Sequence, residues 1–445
     1  MNVVPDSARF LPALEAAAGG RKRVVVVGGG FAGVAAVRAL RKADAEIVLI
    51  DRRNHHIFQP LLYQVATALI APSDIAAPLR QLEAKQRNLE VLLGEVTGVD
   101  LAGRTLDTTL FGSGRHTLAF DYLVVATGAT PSYFGHDAFA QHAPALKTLS
   151  DAEKMRSKIL GAFEVAETTE DADERARRLT FVLVGAGPTG VELAASLAGM
   201  VRTTLRGNFH HIDPAAAKIV LIDGADRVLP SFGEAVSRKA ARRLEKLGVT
   251  IVTGSMVESV DETGVTASGN RIASATVLWT AGVAASPLAG ALGGDVDHAG
   301  RARVDPFLEV VGQPGIFVAG DAAAIVQDGR PVPGVAQAAI QQGRYVGRLI
   351  ARELAGSPTD RPFRYFDKGN MAVVGRNFAL LERGRLATSG FLTWLVWAFV
   401  HILALPQMQN RLRVQRQWLW SYLTHQRSSR LIGEPPRTPG AGAPA

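Results

Sequence analysis

Two glycine-rich turns constrain this chain more than any other feature. Each follows a β-branched apolar run and opens an alanine-rich stretch of helical character. The first reads Val24-Val25-Val26-Val27-Gly28-Gly29-Gly30-Phe31-Ala32-Gly33, the second Phe181-Val182-Leu183-Val184-Gly185-Ala186-Gly187-Pro188-Thr189-Gly190. In such a strand–turn–helix unit the first glycine permits the tight turn, the second lets the backbone approach a pyrophosphate, and the third lets helix and strand pack closely. The helix N-terminus adds N–H groups and a partial positive charge for phosphates. One unit of this kind points to one dinucleotide, so two point to two, one of which can be a tightly held flavin.

Each unit needs an acid that reaches a ribose. After the first, Glu46-Ile47-Val48-Leu49-Ile50 ends at Asp51, near the expected spacing of about 20 residues. After the second the acid comes later. The run Ala217-Lys218-Ile219-Val220-Leu221-Ile222 ends at Asp223, beyond an insertion holding Phe209-His210-His211-Ile212-Asp213. A carboxylate there accepts from both ribose hydroxyls and repels a 2′-phosphate, which favours NADH over NADPH. Two apolar strands close at small residues, one at Thr127-Gly128 and one at Thr280-Ala281-Gly282. That repetition implies a second dinucleotide domain inserted in the first. The run Gly315-Ile316-Phe317-Val318-Ala319-Gly320-Asp321 marks the return, and puts a carboxylate beside the cofactor crevice. Asp321 also suits a helix N-cap, since three alanines follow.

With 445 residues, 47% of them hydrophobic, the chain can build about two to three domains, and alternating strands and helices favour an α/β class. The absence of cysteine excludes disulfides, iron–sulfur ligation and thiolate metal sites. It also removes a paired-cysteine redox centre, so electrons pass directly between a cofactor and a diffusible acceptor. A net charge of +8 suits nucleic acid, an anionic membrane surface or acidic substrates.

Three further runs are not generic to a dinucleotide fold. They are Asn54-His55-His56-Ile57-Phe58-Gln59-Pro60-Leu61-Leu62-Tyr63-Gln64-Val65-Ala66-Thr67, Ala336-Gln337-Ala338-Ala339-Ile340-Gln341-Gln342-Gly343, and Phe366-Asp367-Lys368-Gly369-Asn370-Met371-Ala372-Val373-Val374-Gly375-Arg376. With the two turns, in this order, the chain from about Arg23 to Tyr422 resembles the type II NADH:quinone oxidoreductases. The resemblance implies a non-covalent FAD, NADH as donor, a membrane quinone (ubiquinone or menaquinone) as two-electron acceptor, a homodimer, and no proton pumping. It implies that Gly28, Gly30, Phe31, Ala32, Gly33, Asp51, Arg52, Gln64, Thr127, Gly128, Asp321, Ala336 and Gln337 serve FAD. Gly185, Gly187, Pro188, Thr189, Gly190, Glu192, Asp223, Ala281 and Gly282 would then serve NADH. Glu192, Gln337, Gln341 and Lys368 would act at the nicotinamide and quinone ends.

Residue chemistry agrees with these roles. Gln337 and Gln341 share one helix face by their i, i+4 spacing, and amides both donate to and accept from quinone carbonyls. The plain alternative is a solvated helix edge. Glu192 falls early in a helix, where an acid also complements the dipole; buried beside a flavin it has a raised pKa and can supply a proton. Lys368 has Asp367 beside it as an ordinary partner. His55 and His56 lack further ligands at metal spacing and read as loop residues near the flavin, with no metal.

The run from Phe391 to Leu405 is the most apolar in the chain. As a helix it reaches about 22 Å, short of a bilayer core of roughly 30 Å, so it is not expected to span. Arg411, Arg413 and Arg416 then mix with Trp418, Trp420 and Tyr422, and no acid stands between Arg383 and Gly433. Basic residues with interfacial aromatics suit a helix lying in an anionic headgroup layer. The alternative is a hydrophobic hairpin that only dimerises. Nothing resembles a nucleic-acid recognition module.

The reading is therefore an α/β chain with two Rossmann-like domains, the second inserted in the first, and a C-terminal amphipathic membrane-anchoring helical region. Residues 1–20 form a flexible extension with a short helix near Phe10–Ala18. Residues 21–143 and 287–375 form the FAD-binding domain and 144–286 the NADH-binding domain. Residues 376–432 anchor to the membrane, and 433–445 are a disordered tail. The expected place is peripheral, on the cytoplasmic face of a prokaryotic inner or plasma membrane. Two rivals remain: a soluble NAD(P)H-dependent reductase of a ferredoxin-like partner, and an NADH-binding flavoprotein sensor with slow turnover.

Overall fold

The computed structural model describes residues 20–433. The short helix expected near Phe10–Ala18 and the tail beyond Gly433 lie outside them. The described chain forms two compact units. One runs to Ile57, then takes Ala77–Thr130 and Val283–Lys368; the other takes Phe58–Ala76, Pro131–Gly282 and the chain from Gly369 onward.

The first unit begins with β1 (Lys22–Val27), α1 (Phe31–Ala39) and β2 (Ala45–Asp51). The chain continues through β3 (Leu89–Asp100), β4 (Thr105–Leu110), β5 (Gly114–Ala119) and β6 (Tyr122–Val125). β1 lies parallel between β2 and β6, with Val27 opposite Ile50 and Val125. Its continuous run of valines fits such a central strand, buried on both faces. Alternate residues feed opposite sides of the sheet. Val25, Val27, Val48, Ile50 and Leu123 build one core, and Val24, Val26, Ile47, Leu49 and Val124 the other. Each fully buried Val or Ile contributes about 1.5–3 kcal/mol.

At Pro131 the chain enters the second unit. It forms α2 (Leu149–Thr168), α3 (Ala172–Arg178), β7 (Thr180–Val184), α4 (Pro188–Gly199), β8 (Lys218–Ile222), α5 (Glu234–Lys246), β9 (Val249–Val252) and β10 (Thr276–Trp279). A capping box starts α2: the Asp151 amide donates to Thr148 Oγ1 at 3.1 Å and the Thr148 amide to Asp151 Oδ2 at 2.8 Å. The parallel sheet runs β9-β8-β7-β10.

The unit boundaries differ from those drawn on the sequence at 143/144 and 286/287. Tyr133, Phe139 and Ala143 are buried with Val182, Ile222 and Trp279, and the Trp279 indole donates to Ser132 O at 2.9 Å. These contacts tie the segment after Pro131 to the second unit.

The chain returns to the first unit as β11 (Ile316–Val318) and α6 (Ala336–Leu354). The seven-stranded sheet is ordered β11-β6-β1-β2-β3-β4-β5. A Cβ on Gly343 would stand 2.0 Å from Ala32 O, and one on Gly347 2.5 Å from Ala36 O. These two glycines let α6 press its backbone against α1.

From Gly369 the chain belongs again to the second unit. β12 (Asn370–Val373), β13 (Ala379–Arg383) and β14 (Leu386–Gly390) form an antiparallel sheet. Helices α7 (Phe391–Ala404) and α8 (Met408–Thr424) follow. Rings stack between the two helices, Trp397 on Trp418 at 5.3 Å and Trp394 on Tyr422 at 5.9 Å. Leu405 to Gln407 thus turns the chain back into a helical hairpin. Among the described residues no helix is long and apolar enough to cross a membrane.

Candidate functional site

The two glycine turns fold alike. Gly28 and Gly185 have φ of +108° and +106°, which glycine adopts without strain. A Cβ on Gly33 would stand 1.8 Å from Gly28 O, and one on Gly190 1.8 Å from Gly185 O. Gly30 and Gly187 have open space on the side where a Cβ would sit. They are the N-caps of α1 and α4, with Pro188 in the first turn of α4 followed by Thr189. The amide-rich N-terminus of each helix therefore opens beside a glycine that a pyrophosphate can approach.

The two acids also behave alike. Asp51 Oδ2 accepts from the Gly29 amide at 2.6 Å and Oδ1 from the Arg53 amide at 2.7 Å. Asp223 Oδ2 accepts from the Ala186 amide at 2.5 Å and Oδ1 from the Ala225 amide at 2.8 Å. The late position of Asp223 in the chain leaves its place in the crevice unchanged. The extra residues are accommodated before β8, where Glu167 gathers the amides of His210 and His211 at 2.8 and 3.1 Å.

Around the first turn Ala32, Ala126, Ala319 and Ala339 pack into a small-residue floor against Phe31. Thr127 Oγ1 is buried and has no hydrogen-bond partner among the described residues, and Gly128 follows at φ +67°. An orphaned hydroxyl beside an open glycine cradle suits a large polar group such as FAD. His56 Nδ1 lies 3.0 Å from Gly29 O and its ring meets Phe31 edge-on at 5.1 Å. Burial holds its pKa below the usual histidine range, so a neutral ring donates to that carbonyl. Among the described residues no group of three or more His, Cys, Asp or Glu could hold a metal.

The turn at Asp321 differs from the helical reading of the sequence. Asp321 does not cap an α-helix: Gly320–Ala322 is a single 3-10 turn, followed by a short strand at Ala323–Ala324. The turn is held by Gln342, buried on α6, whose Oε1 accepts from the Gly320 amide at 2.5 Å. Arg52 pairs with Glu95 at 3.8 Å, both exposed. Gln64 falls in the second unit. Gln337 and Gln341, near the start of α6 after Ala336, are half-buried and hydrogen-bonded to the chain near Phe366. Gln341 exchanges two hydrogen bonds with the Phe366 backbone, at 2.9 and 3.0 Å, and Gln337 Oε1 accepts from the Lys368 amide at 3.1 Å. The Lys368 side chain is exposed, and Asp367 accepts from the Tyr365 hydroxyl at 3.3 Å.

In the second unit Thr280 Oγ1 donates to Val184 O and Gly185 O at 2.9 and 2.8 Å. This pins Ala281 and Gly282, the latter at φ +67°, beside the second turn. One turn into α4, Glu192 faces a cavity of about 330 Å³ lined also by Tyr63, Gln64, Trp397, Trp418 and Arg427. Glu192 Oε1 accepts from the Val373 amide at 3.2 Å, yet burial pushes its pKa up to about 8. Burial therefore favours its neutral form near pH 7. Burial and the Glu192 charge push Tyr63 far above the usual phenol range.

The basic aromatic run faces two ways, which its composition does not reveal. Trp418 points inward, donating to Gln64 Oε1 at 2.7 Å, and Tyr422 carries Arg376 over its ring at 3.9 Å. Trp420, Leu412, Leu419 and Leu423 are exposed, as are Leu392 and Phe399 of α7. Arg427 is buried, and donates to Thr67 O and Ser196 O at 2.7 and 2.9 Å.

Paired Rossmann folds with paired acid-closed glycine turns define a protein built for two dinucleotides. The family model "Pyridine nucleotide-disulphide oxidoreductase" matches residues 22–343. The type II NADH:quinone oxidoreductase Ndh of Mycobacterium tuberculosis is 46% identical over 423 residues, covering 93% of this chain and 90% of that protein. A second from the same organism, NdhA, is 44% identical over 94% of this chain and 90% of its own length. The solved structure of NDH2 from Plasmodium falciparum in complex with NADH has the same fold, with a TM-score of 0.85 at 19% identity, covering 93% of this chain and all of that one. The chain belongs to the pyridine nucleotide-disulphide oxidoreductase family and, within it, to the type II NADH:quinone oxidoreductases.

Proposed function

We propose that the protein oxidises NADH and reduces a quinone by two electrons, using a non-covalent FAD and moving no protons across a membrane. The observation that carries this is the matched pair of glycine turns, each closed by an acid at its strand end, in a chain without cysteine. When bound, FAD supplies hydride acceptance and two-electron release; the chain supplies orientation and electrostatics.

The first turn holds FAD. Gly28, Gly30 and Gly33 admit its pyrophosphate to the head of α1, and Asp51 takes its ribose. Thr127 gains the partner its hydroxyl lacks, and Asp321 on its Gln342-held turn meets the ribityl chain. The second turn holds NADH, with Asp223 accepting from both ribose hydroxyls and rejecting a 2′-phosphate. Glu192, neutral near pH 7, is a proton source. Gln337, Gln341 and Lys368 form the quinone end, where Gln341 and Gln337 brace the Phe366–Lys368 segment and Gln341 keeps one amide hydrogen for a carbonyl.

The exposed apolar residues of α7 and α8, with Arg413 and Arg416, rest on an anionic membrane surface without crossing it. The protein is a peripheral homodimer on the cytoplasmic face of a prokaryotic membrane. Purified protein loaded with FAD in detergent should oxidise NADH rapidly only when a short-chain ubiquinone or menaquinone analogue is added. NADH binding without turnover would refute the reading in favour of a sensor. Removing the chain from Phe391 onward should abolish partition into anionic vesicles; a truncated protein that still partitions would refute the anchoring role.

A further inference from the structure

The second unit contains another cavity, of about 390 Å³, lined by His142, Lys158, Arg177, Arg178, Asp261 and Glu262 among others. It lies at the amino ends of β7 and β10, where the Ala275 amide donates to Arg177 O at 3.1 Å. The second glycine turn is at the carboxyl end of the same strand, so β7 separates the two by about 16 Å at 3.3 Å per residue. The cavity is thus not part of the dinucleotide crevice.

Its charges do not balance. Lys158, in the middle of α2, is half-buried, and its ammonium donates only to His142 O, at 2.5 Å. Among the described residues no carboxylate pairs with it and no other acceptor meets it. Arg177 and Arg178, in the last turn of α3, share the single carboxylate of Glu174 at 2.6 Å each. Of the acids lining the cavity, Asp261 is already engaged by Arg271 at 2.5 Å and by the Thr263 hydroxyl at 2.6 Å. The Glu262 side chain is exposed, and it is the Glu262 backbone carbonyl that accepts from Arg177, at 2.9 Å. Among the described residues Glu174 is therefore the one carboxylate ion-paired with any of the three cations, and it pairs with the two arginines; the Asp261 and Glu262 side chains that also line the cavity pair with none of them. A buried cation without a partner is costly unless an anion completes the set.

We propose that this cavity binds a small phosphate-bearing anion, with Lys158 as a point charge and the Arg177 and Arg178 guanidiniums as forks on its oxygens. Guanidinium geometry suits phosphate oxygens, and the volume is that of a small-molecule pocket. Burial and the Arg178 charge push the Lys158 amine down to about 8. Near neutral pH a larger share of this lysine is therefore free amine, the form that acylates, and a bound anion would restore the ammonium and slow the reaction.

The test uses FAD-loaded full-length protein in detergent at pH 7.5, acetylated briefly with an N-hydroxysuccinimide ester and read by peptide mass spectrometry. Lys158 should label faster than the exposed Lys239 and Lys246. Inorganic phosphate or pyrophosphate should slow Lys158 about tenfold while leaving those two unchanged, and potassium chloride at equal ionic strength should not protect it. Loss of one charge-assisted contact in Lys158→Met or Arg178→Gln should weaken pyrophosphate binding, measured by calorimetry, by about tenfold or more. NADH:quinone turnover of both variants without the anion should stay at the wild-type level. Absence of protection on the wild-type protein, or equal protection by chloride, would overturn the proposal whether or not either variant folds.

Discussion

Replacing Glu192 with Gln should stabilise the protein, and by an amount that depends on pH. Moving a carboxyl from its ordinary 4.5 to about 8 penalises the charged form by roughly 5 kcal/mol. The cause is desolvation in the aromatic cavity, opposed only by the Val373 amide. In the unfolded chain the acid ionises above about 4.5, but in the folded protein it stays protonated until about 8. The folded state therefore binds the extra proton across that window. Wild-type stability should fall relative to Glu192→Gln by about 1.4 kcal/mol per pH unit as pH rises from 5 to 8. Below pH 4.5 the two should match, and above pH 8 the difference should plateau. Urea unfolding of both FAD-loaded proteins across pH 4–9, followed by intrinsic tryptophan fluorescence, measures this directly. A difference independent of pH would show that Glu192 ionises normally and that the cavity is wet.

Three other perturbations probe separate parts of the argument. Gly33→Ala drives a methyl into Gly28 O, at 1.8 Å, and such overpacking costs about 1–3 kcal/mol; bound flavin, read from the visible spectrum, should fall at least tenfold in affinity. Asp223→Asn keeps an acceptor for only one of the Ala186 and Ala225 amides and loses the charge, so the NADPH to NADH ratio of kcat/KM should rise about tenfold. An unchanged ratio would remove Asp223 from the ribose. Asn410→Ala deletes the buried amide that donates to Ser73 O and Asp74 O, both at 2.9 Å, and leaving those carbonyls unmet should cost about 1–3 kcal/mol in urea unfolding.

The fold's plan was legible because its signals are local. A valine run followed by three spaced glycines can close only one kind of turn, since the φ of Gly28 and the approach of Gly33 to Gly28 O forbid side chains. The same logic located Asp51 and Asp223 from the ends of their strands. What was not legible depended on partners distant in sequence. Nothing local says that Gln342, rather than its neighbour Gln341, turns inward to hold Gly320. The three alanines after Asp321 look helical by propensity, and the pairing of Ala302–Arg303 with Ala323–Ala324 overrides it.

The C-terminal segment shows the division most clearly. Sequence alone fixed that it is basic, aromatic and too short to span a bilayer, because composition and helical rise are properties of the chain itself. Only the tertiary structure decided which aromatic faces which way. Trp418 turns to Gln64, Tyr422 to Arg376 and Trp394, and Trp420 to the outside. It likewise made Glu192 a neutral acid, since a carboxyl's pKa is set by the groups that exclude water from it, and here these come from segments more than a hundred residues apart. Two dinucleotide turns are written in the sequence; the chemistry of the cavity beside the second exists only once the chain has folded.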